Sequence, residues 1–156
     1  CALPIFQYPR DLAPIPFLPL VGADLTGARV DGSLMFPGAI KQLLTGWRAD
    51  FPPVSIDGKP VFVVQGMIER VPVKLYFDQK SGLLVRQVRY SQSPLGCNVT
   101  QVDYSDYRLV NGVRMPFHIV TSWFDGRGDV QLTQIQANVA IDSAKFGKPA
   151  PPAPPK

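Results

Sequence analysis

The feature of this sequence that most constrains its fold is a series of alternating apolar and polar segments joined by short turns. The segments span 61–69, 73–78, 83–90, 99–108, 113–124 and 129–137. The residues between them favour turns: Gly82 suits the left-handed position of a type I turn with a bulge, and Asn111-Gly112 and Asp125-Gly126 are hairpin signals. Because short loops join antiparallel neighbours, the sequence predicts a β-meander rather than a parallel doubly wound sheet.

The apolar residues divide between the faces of these strands by parity. On 113–124, Met115, Phe117, Ile119 and Trp123 share one side, which is the predicted core face. Neither face of 99–108 is apolar, which favours a curved sheet with one partly covered face. In 83–90, Arg86 and Arg89 are predicted to face wetter environments.

One segment before the meander has helical spacing. Pro37 suits a first helical turn, and Ile40, Leu43, Leu44 and Trp47 follow at i, i+3, i+4 and i+7. This pattern predicts a helix of about ten residues. The predicted fold class is therefore mainly β, a curved antiparallel sheet with one short helix packed on its concave face.

Proline marks both ends of the chain. It occurs at positions 4, 9, 14, 16 and 19, too densely for a helix or a central strand. The end of the chain, GKPAPPAPPK, is typical of a polyproline-type tail. We therefore expect an extended arm over 1–20, a single β domain over 21–147 and a tail over 148–156.

The charge pattern argues against a nucleic-acid partner. The chain has 16 Lys and Arg against 12 Asp and Glu, a net charge of +4, and its basic residues are scattered rather than clustered. No apolar run approaches the roughly 18 residues that a membrane-spanning helix needs. Membrane contact is therefore expected only through a partner or a lipid anchor.

The two cysteines, Cys1 and Cys97, exclude a disulfide-dense scaffold and a multi-cysteine metal site. They can pair with each other, pair elsewhere or both remain free, and the sequence leaves these alternatives open. Cys1 has a further interpretation as the lipidated first residue of a processed bacterial lipoprotein. The alternative is that position 1 is simply where the chain starts.

No residue pattern indicates catalysis. His118 is the sole histidine of the sequence, and no G-x-S-x-G motif supports a triad built on it. Asp103 and Asp106 are three residues apart on a strand, hence on opposite faces, and the DGRGD segment has no downstream Glu to complete a calcium loop. We predict no catalytic, cofactor-binding or metal-binding residue in this chain, and no enzymatic activity.

Several ordered motifs resemble a known family. DGKPVFVVQG, VKLYFDQKSGLLVRQVRY, VTQVDYSDYRLVNGVRMPFHI and NVAIDSAKF resemble the β-meander of the periplasmic outer-membrane lipoprotein carriers. Over 18–149, from LPLVGADLTGARVD through FPGAIKQLLTGWRADFP to AKFGKP, the chain more closely resembles the C-terminal region of acidobacterial photosynthetic reaction-centre cytochrome c subunits.

This resemblance implies a half-barrel with a helical lid, in the periplasm or at the outer face of the cell envelope. It implies a non-enzymatic accessory domain of a multihaem cytochrome or electron-transfer complex. The alternative is a lipid or lipoprotein acyl-chain carrier, with Ile40, Leu44 and Trp47 on the lid of an apolar groove. The chain has no C-x-x-C-H haem site, so any haem would belong to an upstream region or to a partner.

The resemblance also implies an incomplete half-barrel, because the chain does not contain the N-terminal strands of the carriers. Strand 61–69 is then expected to be an exposed edge, covered by upstream chain or by a partner subunit.

Overall fold

A computed structural model describes residues 6–7, 18–35, 38, 40–49, 51–93 and 96–147. Its principal feature is an eight-stranded antiparallel sheet, open rather than closed into a barrel. The strands are β3 (Thr45–Arg48), β4 (Val54–Ile56), β5 (Lys59–Ile68), β6 (Val71–Asp78), β7 (Leu84–Ser93), β8 (Gly96–Val110), β9 (Val113–Trp123) and β10 (Gly126–Gln131). The remaining elements are β1 (Phe6–Gln7), β2 (Leu18–Pro19), α1 (Gly22–Leu34), α2 (Ile40–Leu43) and a 3₁₀ turn (Ser143–Phe146).

The sheet follows the chain order from β5 to β10, as expected for a meander. The predicted mainly β fold with an antiparallel sheet is confirmed. The last predicted strand, 129–137, is displaced towards the turn, because β10 pairs with β9 from Gly126 and ends at Gln131. The pair β1–β2 is separate from the main sheet.

The turn between β6 and β7 has the predicted chemistry. Gly82 has φ +70°, and its N–H donates to the carbonyl of Asp78 at 2.8 Å. The Asp78 carboxylate accepts hydrogen bonds from the N–H and the hydroxyl of Ser81, both at 2.7 Å. The side chain of Asp78 therefore fixes the turn together with the glycine.

The helix that packs on the sheet is α1, which the sequence pattern did not predict. Its buried residues are Gly27, Val30, Gly32 and Leu34. Val30 and Leu34 join a core cluster on one face of the sheet that includes Val73, Leu75, Val102 and Tyr104. Glycine lowers intrinsic helix stability by about 1 kcal/mol per residue, so packing rather than propensity holds this helix in place.

The predicted ten-residue helix through Trp47 is wrong. Helix α2 covers only Ile40–Leu43 and ends where Leu44 N–H donates to the Ile40 carbonyl at 2.9 Å. Gly46 has φ +56°, a conformation that does not continue a right-handed helix. Trp47 therefore lies on β3, where its side chain is 63% exposed.

The expected edge strand 61–69 is partly covered by upstream segments of the same chain. This strand, β5, is paired with two short strands of the same chain, β3 near Gln65–Met67 and β4 near Lys59–Val61. The pairing is incomplete between those points, at residues 62–64.

Parts of the predicted domain division lie outside the described residues. These are most of the 1–20 arm, including Cys1, and the 148–156 tail. Among the helices described, none is long and apolar enough to cross a membrane.

Candidate functional site

A buried polar network joins α1 to the sheet. Asp31 on α1 accepts two hydrogen bonds from the Arg89 guanidinium of β7, at 3.0 and 3.2 Å. Gln87, also on β7, donates its side-chain N–H to the same carboxylate at 2.5 Å. Gln87 is 1% exposed, and its Oε1 has no hydrogen-bond partner within the described part of the chain. This network is the polar core of the contact between helix and sheet.

Burial shifts the pKa values of ionisable groups in and beside this network. Burial raises the pKa of Asp31, while the charge and hydrogen bonds of Arg89 act in the opposite direction. Burial also raises the pKa of Tyr104, so its hydroxyl stays protonated. Gly27 packs directly on Arg89, since a Cβ at this position would lie 2.4 Å from Nη1. The sequence-based expectation that Arg89 faces a wetter environment is therefore wrong.

A groove opens on the same face of the sheet, beside the start of α1. We call it the Trp123 groove, and its volume is about 490 Å³. It is lined by Asp24, Arg89, Ser91, Asn98, Val99, Thr100, Thr121, Trp123, Phe124 and Asp125. Its size is in the range of small-molecule sites, about 300–1,000 Å³.

The floor of this groove is an indole ring lying on glycines. Gly126 and Gly128 are paired across the β9–β10 hairpin with Trp123 and Thr121. A Cβ on Gly126 would lie 2.7 Å from the Trp123 ring, whereas one on Gly128 would lie 3.7 Å from it. Because glycine has no side chain, the ring can lie close to the backbone of β10. Trp123 is 45% exposed and its neighbour Phe124 is 95% exposed, so aromatic surface remains available in and beside the groove.

The opposite face of the sheet carries a cross-strand row of Ser105, His118 and Asp129. The Ser105 hydroxyl oxygen lies 2.9 Å from His118 Nδ1, and His118 Nε2 lies 2.8 Å from an Asp129 carboxylate oxygen. These residue types occur in nucleophilic triads. Such catalysis also needs N–H donors aimed at the developing oxyanion, whereas Ser105 lies within a long strand, paired with His118, and is not on a strand-to-helix nucleophile elbow. We interpret the row as structural pairing, and the absence of enzymatic activity stays a prediction.

A shallow cleft of about 280 Å³ lies on this second face, near the row. Its Arg86 forms a bidentate ion pair with Asp103 across β7 and β8. Gln101 donates a further hydrogen bond to Asp103 at 2.8 Å. The side chains of Asp103 and Asp106 have separate partners, since Asp106 binds Arg108 at 2.6 and 3.0 Å. The two carboxylates thus bind different guanidinium groups, and the absence of a catalytic pair stays a prediction.

The residues expected to form an apolar lid are not brought together as one helix face. Ile40 and Leu43 of α2 and the adjoining Leu44 pack on the core, and Leu44 is buried. Trp47 is on the edge strand β3 instead. Cys97 is exposed on β8, but Cys1 lies outside the described residues, so both the proposed Cys1–Cys97 disulfide and the lipidation of Cys1 stay predictions.

The described residues contain no cluster of three or more His, Cys, Asp or Glu that could hold a metal ion. A scan of protein-family models, a search of curated proteins and a search of solved structures each found no match to this chain.

Sequence reasoning missed α1 and the groove beside it. The missing signal was the spacing of Gly27, Val30, Asp31 and Leu34, which follows i, i+3, i+4 and i+7 with small and polar residues in place of large apolar ones. Trp123 was placed on the correct face of β9, but its position at the strand end leaves it half-exposed.

Proposed function

We propose that this chain is a non-enzymatic assembly domain of the cell envelope, which docks onto a larger protein through the incomplete edge of β5. The observation that carries the proposal is a gap in strand pairing. Strand β3 pairs with Gln65 and Met67, and β4 pairs with Lys59–Val61. Residues 62–64 of β5 thus have no paired strand on that side among the described residues.

The chemistry of this edge favours a protein partner. Exposed backbone N–H and C=O groups of a strand can pair with a strand from another chain. Large apolar side chains are exposed along the same edge: Trp47 at 63%, Val54 at 37%, Phe62 at 59% and Met67 at 36%. Exposed aromatic residues are typical of residues that contribute most to protein interfaces.

The resemblance to cytochrome subunits supports a multihaem cytochrome as the partner, either as a separate protein or as another part of the same polypeptide. A photo-crosslinking amino acid at position 62 tests this in whole cells. The matched control is position 109, because Leu109 is 71% exposed at the far hairpin. We expect position 62, and not position 109, to yield one product with covalent haem that mass spectrometry identifies as a cytochrome. Equal products at the two positions, or none at position 62, would overturn the proposal.

Acyl-chain binding is a second proposal, favoured by the apolar face of the sheet beneath α1. Val73, Leu75 and Val102 lie on this face and are at most 3% exposed. The cavity near Leu34 and Tyr104, however, is only about 50 Å³, so α1 would have to leave the sheet to admit an acyl chain. A carrier should take up a hydrophobic fluorophore with one-to-one stoichiometry, whereas an assembly domain should not.

A further inference from the structure

The Trp123 groove combines an aromatic surface with an excess of acidic groups. Asp24 and Asp125 line it, and neither has an ion-pair partner among the described residues. The one basic side chain in its lining is Arg89, which Asp31 engages with both carboxylate oxygens. The charge of Arg89 is therefore largely satisfied within the protein, and two carboxylates remain uncompensated.

The positive end of the α1 dipole, beside the groove, does not cancel this excess of negative charge. The N-terminus of α1 contributes about half a positive charge, and Asp24 is the acidic residue of its first turn. Asp24 therefore more than offsets the helix dipole, while Asp125, in the turn between β9 and β10, adds a further negative charge to the lining. A ligand that carries an anion would meet repulsion from both carboxylates.

The aromatic surface narrows the class of ligand further. The Trp123 ring lies against Gly126 and Gly128, and the residue is 45% exposed, so part of the indole surface remains accessible to a ligand. Organic cations bind over exposed indole surfaces, because the negative face of the ring attracts the positive charge. A purely apolar ligand would instead leave Thr100, Thr121 and the carboxylates desolvated without partners.

We propose that the Trp123 groove binds an organic cation, an alkylammonium group whose charge lies between Asp24 and Asp125 and whose apolar part contacts Trp123. This site is independent of the docking edge, because it lies on the β9–β10 side of the sheet and the docking edge is formed by β3, β4 and β5. The cation is either a free quaternary ammonium compound or the side chain of a protein lysine.

Fluorescence of Trp123 reports binding once the second tryptophan is removed by Trp47→Phe. Trp47 is on the far edge of the sheet, so this change leaves the groove intact. Choline is the cationic probe, and 3,3-dimethyl-1-butanol is its neutral isostere. We expect saturable quenching by choline with an affinity about two- to fivefold higher than that of the isostere, at matched ionic strength.

Substitutions in and beside the groove distinguish binding at this site from non-specific quenching. Asp125→Asn should weaken choline binding at least about fivefold, and Gly126→Ala should weaken it by displacing the ring. Gly128→Ala is the matched control and should bind as the parent does. Circular dichroism confirms that each variant is folded. Equal affinity for choline and its isostere, or choline binding unchanged in folded Asp125→Asn, would overturn the proposal.

A parallel titration with N-acetyl-lysine N-methylamide distinguishes the two sources of the cation. Tighter binding of choline identifies a free quaternary ammonium compound, and tighter binding of the lysine derivative identifies a protein side chain. Failure of both probes to saturate overturns the cation site but leaves the docking edge of β5 unaffected.

Discussion

The carboxylate of Asp31 on α1 accepts two hydrogen bonds from the guanidinium of Arg89 on β7, at 3.0 and 3.2 Å. The Arg89 side chain is 14% exposed and that of Asp31 29%. Removing one partner of a largely buried ion pair costs more than the pair contributes, because the other charge remains mostly out of contact with water. The pair is thus a sensitive point in the attachment of α1.

Replacement of this carboxylate should be strongly destabilising. We expect Asp31→Ala to lower the free energy of unfolding by about 2–3 kcal/mol, measured by urea denaturation. The control is Arg127→Ala, since Arg127 is 66% exposed and lies 3.9 Å from Asp129; it should change stability by less than about 0.5 kcal/mol. A loss of similar size in both variants would contradict a special role for Asp31.

The turn carboxylate Asp78 should give the protein an acid-dependent stability. Hydrogen bonds from Ser81 lower its pKa below the ordinary 3.8. A folded-state pKa below the unfolded value gives stability that is present above 3.8 and is lost as pH falls through the folded value. Asp78→Asn should reduce the difference in unfolding free energy between pH 6 and pH 2.5, and Ser81→Ala should reduce it less, because the backbone donor remains.

The ring of Trp123 should respond to one glycine of β10 and not to the other. A Cβ at Gly126 would lie 2.7 Å from the ring, too close for contact, whereas one at Gly128 would lie 3.7 Å away. We expect Gly126→Ala to change the near-ultraviolet circular dichroism and the Trp123 emission, in the Trp47→Phe background. Gly128→Ala should leave both spectra as they are; a change of equal size there would show that the ring does not rest on Gly126.

Hydrogen exchange should reveal the gap beside β5. Amides of residues 62–64 that point away from β6 should exchange faster than those of residues 73–75, because β6 is paired with strands on both sides. Equal protection of the two segments in the isolated chain would show that the edge is already covered.

The cross-strand row of Ser105, His118 and Asp129 should have no catalytic activity. We expect no labelling of Ser105 by a fluorophosphonate, because Ser105 lies within a paired strand and not on a nucleophile elbow beside an oxyanion hole. Labelling that is lost in both Ser105→Ala and His118→Ala would contradict this prediction and indicate a hydrolase.

The strands could be predicted because each depends on local information. Alternation identified β5 to β9 to within a few residues, and turn residues such as Gly82 set their order. The helices depend on contacts with residues distant in sequence, and the helix predicted from local spacing was therefore wrong. Trp47 completes a helical spacing, but pairing of β3 with β5 and the positive φ of Gly46 override it.

The candidate sites were hidden for a related reason. Arg89 alternates with apolar residues on β7 in the manner of a solvent-exposed residue, and only the docking of α1 buries it. Trp123 has the parity of a core residue, but the strand ends there. Both sites arise where secondary structures meet, which periodicity within one strand does not encode.

The buried glycines of α1 also bear on the order in which this protein folds. Strands β5 to β10 join near neighbours in sequence, so the closing of their loops costs little entropy, whereas Asp31 meets Arg89 across 58 residues. A helix whose inner face carries Gly27 and Gly32 has little tendency to form before it reaches the sheet. We therefore expect the meander to form first and α1 to attach late, so that weakening the attachment of α1 mainly accelerates unfolding and leaves the folding rate nearly constant.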